Sequence, residues 1–224
     1  MSLPVWDPLI TLQSEIETIF DQNLERYQEE HLDRFNRPGW VNLTWKSDKF
    51  RRAHIDVVDA RESKKLWMMH VCIFPHVTSG APIYGFDVIS GPSKVTGAFH
   101  DFSPVNPNDP ALNYFADEAV KSSWSKEREL PDWARAIFSS HMVAAGNIQT
   151  DDEIQRIVSL VLANTLWYVK DMPVGDDMAA TDAHNRYAHF QKMNPHTPRT
   201  MKALGLNEED VDFFVSKCLF PVVE

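Results

Sequence analysis

Three ionisable residues interrupt the most apolar stretches of this chain. His70 separates Trp67-Met68-Met69 from Val71-Cys72-Ile73-Phe74, Asp87 separates Tyr84-Gly85-Phe86 from Val88-Ile89, and Asp56 sits within Ala53-His54-Ile55-Asp56-Val57-Val58. A carboxylate in a buried strand is costly unless it is paired, neutralised or used in chemistry. If the strands carrying His70 and Asp87 pair side by side, the two side chains come within reach of a shared proton, and their titrations then belong to the pair. Two plainer readings stand beside this one. A histidine in a strand is commonly hydrogen-bonded filler. His54, Asp56, His70, His76 and His100 also make a candidate metal set, because His-x-Asp places both side chains on one strand face. No tighter ligand spacing accompanies it, and the expectation is no metal. Trp67, Met68 and Met69 read as core.

The elements that must position these residues follow from periodicity. From Pro8 to Asn36 the spacing predicts a helix, with Leu12, Ile16, Ile19, Phe20, Leu24 and Tyr27 as its apolar stripe and Pro38-Gly39 as its stop. The period then becomes two. In Phe50–Ala60, Ala53, Ile55 and Val57 face one way and His54, Asp56 and Val58 the other. Leu66–Phe74, Ile83–Ile89 and Val95–Phe102 read as further strands joined by turn residues, which predicts an antiparallel meander. After Ser103-Pro104 the strand signal stops. Helices are expected over Asn108–Trp124, Thr150–Asp171, Asp176–Lys192 and Asn207–Leu219, the second opened by the capping pattern Thr150-Asp151-Asp152-Glu153. The expected fold is α/β, a three-layer α/β/α sandwich with a central antiparallel β-sheet flanked by helices, and one domain over residues 1–224.

Composition narrows the class. A chain of 224 residues with 43% hydrophobic content can bury a core without disulfide or metal staples. Its two cysteines, Cys72 and Cys218, have no zinc-ligand spacing and read as a reduced pair. No apolar run is long enough to span a membrane, and acids soon follow the short apolar start, so neither a membrane span nor a secretory signal is expected and the location is read as cytoplasmic. The net charge of −10 argues against general nucleic-acid binding.

Four stretches carry a family resemblance: Phe50-Arg51-Arg52-Ala53-His54-Ile55-Asp56, Met69-His70-Val71-Cys72-Ile73-Phe74-Pro75, Pro82-Ile83-Tyr84-Gly85-Phe86-Asp87 and Ala98-Phe99-His100-Asp101-Phe102-Ser103-Pro104. With Arg128-Glu129-Leu130-Pro131-Asp132-Trp133 and the end from Phe213 to Glu224, they resemble the ferredoxin-dependent bilin reductases, in order and over most of the chain from Phe50 onward. The resemblance implies biliverdin IXα as substrate, held between sheet and helices, with no bound flavin or metal. Reduced ferredoxin supplies single electrons, so the open-chain tetrapyrrole is itself the acceptor. It assigns Asp87 as main proton donor, His70 as its partner, and Asp56 to the position where phycocyanobilin-forming relatives carry a Glu that serves D-ring vinyl reduction. The expected enzyme is a monomer.

The departures from the family pattern are informative. The relatives' second aspartate, on the far helical segment, is replaced by Asn194, which can hydrogen-bond a bilin but cannot donate a titratable proton. Their propionate-binding Arg before the Thr150 helix is missing; Ala144-Ala145-Gly146 stand there. Arg51, Lys192 and Arg199 are candidates for that role, with Lys94, Arg186, His196 and Lys202. Shortening Glu to Asp56 points to phycoerythrobilin, formed through 15,16-dihydrobiliverdin, with phycocyanobilin as the alternative. A non-catalytic bilin- or haem-binding module using His70 or His54 is the reading from another class. For ferredoxin, two basic stretches could offset the acidic total: Lys46 to Lys65, and Arg186 with Lys192, Arg199 and Lys202.

Overall fold

The computed structural model describes residues 5–175 and 177–224. Helix α1 (Trp6–Asn23) buries Leu9, Leu12, Ile16, Ile19 and Phe20. It ends at Leu24, which is extended and donates its N–H to the Phe20 carbonyl at 2.8 Å. The helix expected to reach Asn36 therefore ends at Asn23, a little past the middle of the expected span. Glu25–Tyr27 instead forms edge strand β1, paired with Thr44–Lys46 and fastened by the Thr44 hydroxyl donating to the Tyr27 carbonyl at 2.7 Å. A single 3₁₀ turn over Glu30–Leu32 follows.

Six more strands follow in the sheet: β2 (Trp40–Lys46), β3 (Phe50–Ala60), β4 (Leu66–Pro75), β5 (Ile83–Ser90), β6 (Val95–Ser103) and β7 (Val143–Ile148). Their order in space is their order in sequence, and every pairing is antiparallel. The four central strands match the period-two reading. Strands β1, β2 and β7 were not expected; β7 overturns the expectation that strands end at Ser103.

Helices cover both faces. α1, α3 (Pro110–Ala119) and α5 (Asp151–Lys170) pack on one, joining Trp45, Ile55, Val71, Phe86 and Phe102 in one core. The Asp109 carboxylate caps α3 by accepting from Ala111 N at 2.9 Å, and Thr150 caps α5. On the other face lie α6 (Thr181–Gln191), α7 (His196–Ala203), α8 (Glu208–Phe213) and a π-helical turn (Phe214–Leu219), around Phe74, Tyr187, Met201 and Phe214. α6 begins at Thr181, later than the expected Asp176, a residue outside those described. α7 was not expected, and α2 (Arg61–Lys64) and α4 (Asp132–Arg135) are single turns. The whole is the expected three-layer α/β/α sandwich. Cys72 and Cys218 are free and buried, and burial pushes each thiol up to about 12.

Candidate active site

Strand register aligns the chemistry. Asp56 on β3 is directly opposite His70 on β4, and His70 is directly opposite Asp87 on β5. Antiparallel partners share a face with their Cβ atoms about 5 Å apart, so the three side chains stand in a row. The row continues outward to Phe99 on β6 and Ala144 on β7, and in the other direction to Asn42 on β2.

A cavity of about 320 Å³ opens over this row. Its floor is Asp56, Met68, His70, Asp87 and Phe99; one wall is the segment carrying Arg128, Trp133, Phe138 and Met142, and the other is the end of α6 with α7, bringing Gln191, Asn194 and Met201. Phe220 closes the inner end, its ring edge-on to His70 with centroids 5.6 Å apart. The Phe138 segment is held down by Asp101, which accepts from the Ser139 N–H at 3.0 Å and from the hydroxyls of Ser139 and Ser103.

Burial sets the electrostatics. Loss of hydration raises Asp56 to about 7, opposed by a 2.6 Å hydrogen bond donated by Trp40 Nε1 and reinforced by the nearby charge of Asp87. Burial also raises Asp87, while the neighbouring His70 works in the opposite direction. The exposure that Asp87 retains is to the cavity it lines. Burial thus favours the protonated form of both carboxyls. Behind them His54 is completely buried, held neutral by burial first and by the charge of Arg52 second, with Nε2 3.0 Å from Asn42 Oδ1. The rings of His54 and His70 lie 6.4 Å apart, and the Nδ1 atom of each is buried without a hydrogen-bond partner in the protein. Among the described residues no hydrogen bond joins His70 to either carboxylate. The shared proton anticipated for His70 and Asp87 is not made by direct contact here; what couples the pair is charge across the row.

The other expected site residues divide. Asn194 lines the cavity, with its Oδ1 accepting from the backbone of His196 at 3.0 Å. Arg51, Lys192 and Arg199 do not line it. Arg51 lies over Phe74, 4.6 Å from the ring centre, beside His184 Nδ1 at 3.4 Å. Lys192 is half-buried and Arg199 exposed, both near Asn194 in sequence. The five-residue metal set is dispersed: His100 faces the α5 layer, and His76 lies at the carbonyl of Ser47. Among the described residues no group of three or more His, Cys, Asp or Glu side chains could hold a metal ion. Of the first basic stretch, Lys46, Arg52 and Arg61 are paired with Glu25, Glu29 and Asp59. Two participants escaped the sequence reading, Trp40 and Arg128. Trp40 was hidden because β2 was not recognised.

A cavity floored by two carboxyls raised by burial and a histidine, on an antiparallel sheet between helical layers, suits proton delivery to a bulky substrate. The family model for ferredoxin-dependent bilin reductases matches residues 26–221, and the chain belongs to that family of bilin oxidoreductases. The phycocyanobilin:ferredoxin oxidoreductase of Synechococcus sp. (strain CC9902) is 33% identical over 181 residues, 76% of this chain and 71% of that one. Its counterpart from Trichodesmium erythraeum (strain IMS101) is 24% identical, over 80% of this chain and 75% of that one. The solved structure of PcyX is 38% identical and aligns with 96% of this chain and 99% of its own at a TM-score of 0.68. Tomato phytochromobilin synthase, solved in complex with biliverdin, is 15% identical, covers 96% of this chain and 82% of its own, and shares the fold at a TM-score of 0.73. No helix among the described residues is long and apolar enough to cross a membrane.

Proposed function

We propose that this protein reduces biliverdin IXα by four electrons to phycoerythrobilin, through 15,16-dihydrobiliverdin, with Asp87 as the main proton donor and His70 as its partner. The observation that carries this is the row Asp56, His70, Asp87 flooring the cavity, with both carboxyls raised by burial. Four electrons arrive singly from reduced ferredoxin and four protons come through the protein, so charge balances at each pair of steps. The apolar walls keep water from the radical stages.

Product choice rests on Asp56. Its carboxylate is one methylene shorter than Glu, and one oxygen is already engaged by Trp40 Nε1. Proton transfer needs heavy atoms within roughly 2.6–3.2 Å, or one bridging water. A carboxylate drawn back toward Trp40 leaves the D-ring vinyl group without its donor, while Asp87 and His70 serve the C–D bridge and the A ring. Asn194, which lines the cavity, adds a hydrogen bond but no proton. The competing product is phycocyanobilin, favoured by the names of the Synechococcus and Trichodesmium relatives.

The deciding experiment is an anaerobic assay with biliverdin and reduced ferredoxin, followed by chromatography of the pigments. Phycoerythrobilin as the main product supports the reading, and phycocyanobilin replaces it with the alternative. A static spectrum after reductant is added would leave a binding module instead. Asp56→Glu should begin to divert product toward vinyl reduction; unchanged products would show that placement of the bilin, not this carboxylate, sets the outcome. Ferredoxin docking is assigned to the α6–α7 rim, where Arg186, Lys192 and Arg199 lie without a carboxylate partner among the described residues. Reduction under limiting ferredoxin should then slow as salt rises. In this reading the enzyme works as a cytoplasmic monomer.

A further inference from the structure

We propose that Asn185 is a positioning residue for the reaction: it holds the backbone of Val223, fixes the ring of Phe220 at the inner end of the cavity, and so sets how far the pigment enters. The inference rests on the bilin reading above and adds to it what decides which pigment carbon meets Asp87.

Residues 220–224 form neither helix nor strand, so their backbone has no ladder of its own to hold it. One side chain supplies the missing partner. Val223 N donates to Asn185 Oδ1 at 2.7 Å, and Asn185 Nδ2 donates to the Val223 carbonyl at 3.0 Å. A backbone N–H can only donate and a carbonyl can only accept, so Val223 dictates which way the amide faces and uses both of its ends. The pair reproduces a rung of an antiparallel ladder with a side chain in place of a strand.

A second anchor lies upstream. Arg52 is buried and donates Nη2 to the Cys218 carbonyl at 2.7 Å, while its Nε and Nη2 hold the Glu29 carboxylate at 2.7 and 2.9 Å. Phe220 N donates to the Val215 carbonyl at 3.1 Å, which closes the π-helical turn. Phe220 therefore sits between two fixed points, one on β3 and one on α6.

What these anchors hold is cavity wall. Leu219 and Phe220 both line it, and the Phe220 ring stands edge-on to His70 at 5.6 Å and to Tyr187 at 6.3 Å between centres. Tyr187 in turn accepts from Nε2 of Gln191, another lining residue, at 2.8 Å. Helix α6 thus carries the clamp, the neighbour of the ring and part of a side wall. Strand register fixes Asp56, His70 and Asp87 along the floor, but a flat pigment can slide over a row. Proton transfer needs heavy atoms within roughly 2.6–3.2 Å, and a misplacement of about 1 Å can cost about 10²-fold. A ring held from both sides is a stop for the pigment's inner end, and a loosened ring is not.

The test is anaerobic turnover of biliverdin with reduced ferredoxin, with chromatography of the pigments, absorbance titration of binding and thermal melts. Asn185→Ala should bind biliverdin within about threefold of wild type, turn over about three- to tenfold more slowly, and change the ratio of products. Asn185→Gln, which keeps the primary amide, should recover part of the wild-type ratio. Phe220→Leu should move the ratio the same way by more. An unchanged ratio in Asn185→Ala would overturn the proposal, whatever is lost in rate or affinity; should that variant not fold, an unchanged ratio in Phe220→Leu does so instead. Each variant is compared with the wild-type ratio, so the test reads the same whichever phycobilin wild type makes. Wild type that leaves biliverdin unreduced would overturn the bilin reading itself, a result that appears without any substitution.

Discussion

The two faces of the sheet use the same chemical groups to opposite ends. On the packed face His100 is fully buried, and both ring nitrogens are occupied, Nδ1 by the Gly85 carbonyl at 2.8 Å and Nε2 by Asn164 at 3.0 Å. Burial lowers it to about 4, so it is neutral, and the rings of Tyr84 and Phe115 surround it. Tyr84 and Tyr168 are likewise satisfied, by Thr165 and the Pro82 carbonyl. On the cavity face His54 and His70 each keep a buried Nδ1 without a partner, and burial raises two carboxyls, Asp56 to about 7 and Asp87 in the same direction. Burial of a histidine or an acid therefore does not distinguish scaffold from site. What marks the site is an unfilled imidazole nitrogen on a residue that lines the cavity, His70, which leaves a valence for substrate or water; the packed face also has an open polar atom, Asn164 Oδ1, but Asn164 does not line that cavity.

The largest effect expected from this contrast is on turnover. Asp87→Asn keeps the shape of the row and removes its transferable proton. It should bind biliverdin nearly as wild type does, yet slow reduction by about 10²–10⁴-fold with a bilin radical persisting in the spectrum. Wild-type turnover under the same ferredoxin supply would remove Asp87 from the donor role.

Next in size is the pH dependence of stability. Asp56 stands at about 7 in the folded protein against an ordinary 3.8. A carboxyl raised on folding stabilises most below 3.8, where both states hold the proton, and that contribution is lost as pH rises to about 7, then stays flat. Asp56→Asn should abolish this loss. Relative to wild type it gains up to about 4 kcal/mol between pH 4 and pH 8, read by denaturant unfolding at each pH. A constant difference across that range would show that Asp56 is not protonated on folding.

A substitution on the packed face sharpens the comparison from the other side. His100→Ala strands the Asn164 amide and the Gly85 carbonyl and leaves a cavity among aromatic rings. It should cost about 2–3 kcal/mol while turnover per folded molecule stays near wild type. A selective loss of turnover at unchanged stability would break the division between the faces.

Much of this contrast was legible beforehand, and its gaps have physical causes. Strands β3 to β6 were visible because buried apolar residues alternate there or run continuously, and the register that aligns Asp56, His70 and Asp87 follows from pairing them in order. Strand β2 escaped because its cavity-face residues, Trp40, Asn42 and Thr44, are mostly polar, which blurs the hydrophobic period. Strand β7 is Val-Ala-Ala-Gly-Asn-Ile, short and poor in β-branched side chains, with Asn147 at a positive φ of 52°. Its small residues are what allow Arg128 to lie across it, so the feature that hid the strand is the one that shapes the rim. The α1 stripe was overextended because Leu24 and Tyr27 keep a helical spacing while their backbone pairs as an edge.

The smallest expected effect concerns the unrecognised strand. Trp40 donates to Asp56 and packs edge-on to Phe214, with ring centres 5.2 Å apart. Trp40→Phe keeps an aromatic ring there and removes the indole N–H. That bond favours the ionised carboxylate, so its loss moves Asp56 further above 7, by up to about one pH unit, or roughly 1.4 kcal/mol. The alkaline end of the stability loss should then shift upward by the same amount. Because packing loss lowers the whole curve without moving its inflection, the midpoint separates the two contributions. A freed Asp56 carboxyl is also no longer drawn toward β2, so Trp40→Phe should add some vinyl reduction to the product mixture, in the direction of Asp56→Glu and smaller. An inflection that does not move would mean that burial and Asp87 alone hold the proton on Asp56, and that Trp40 serves packing only.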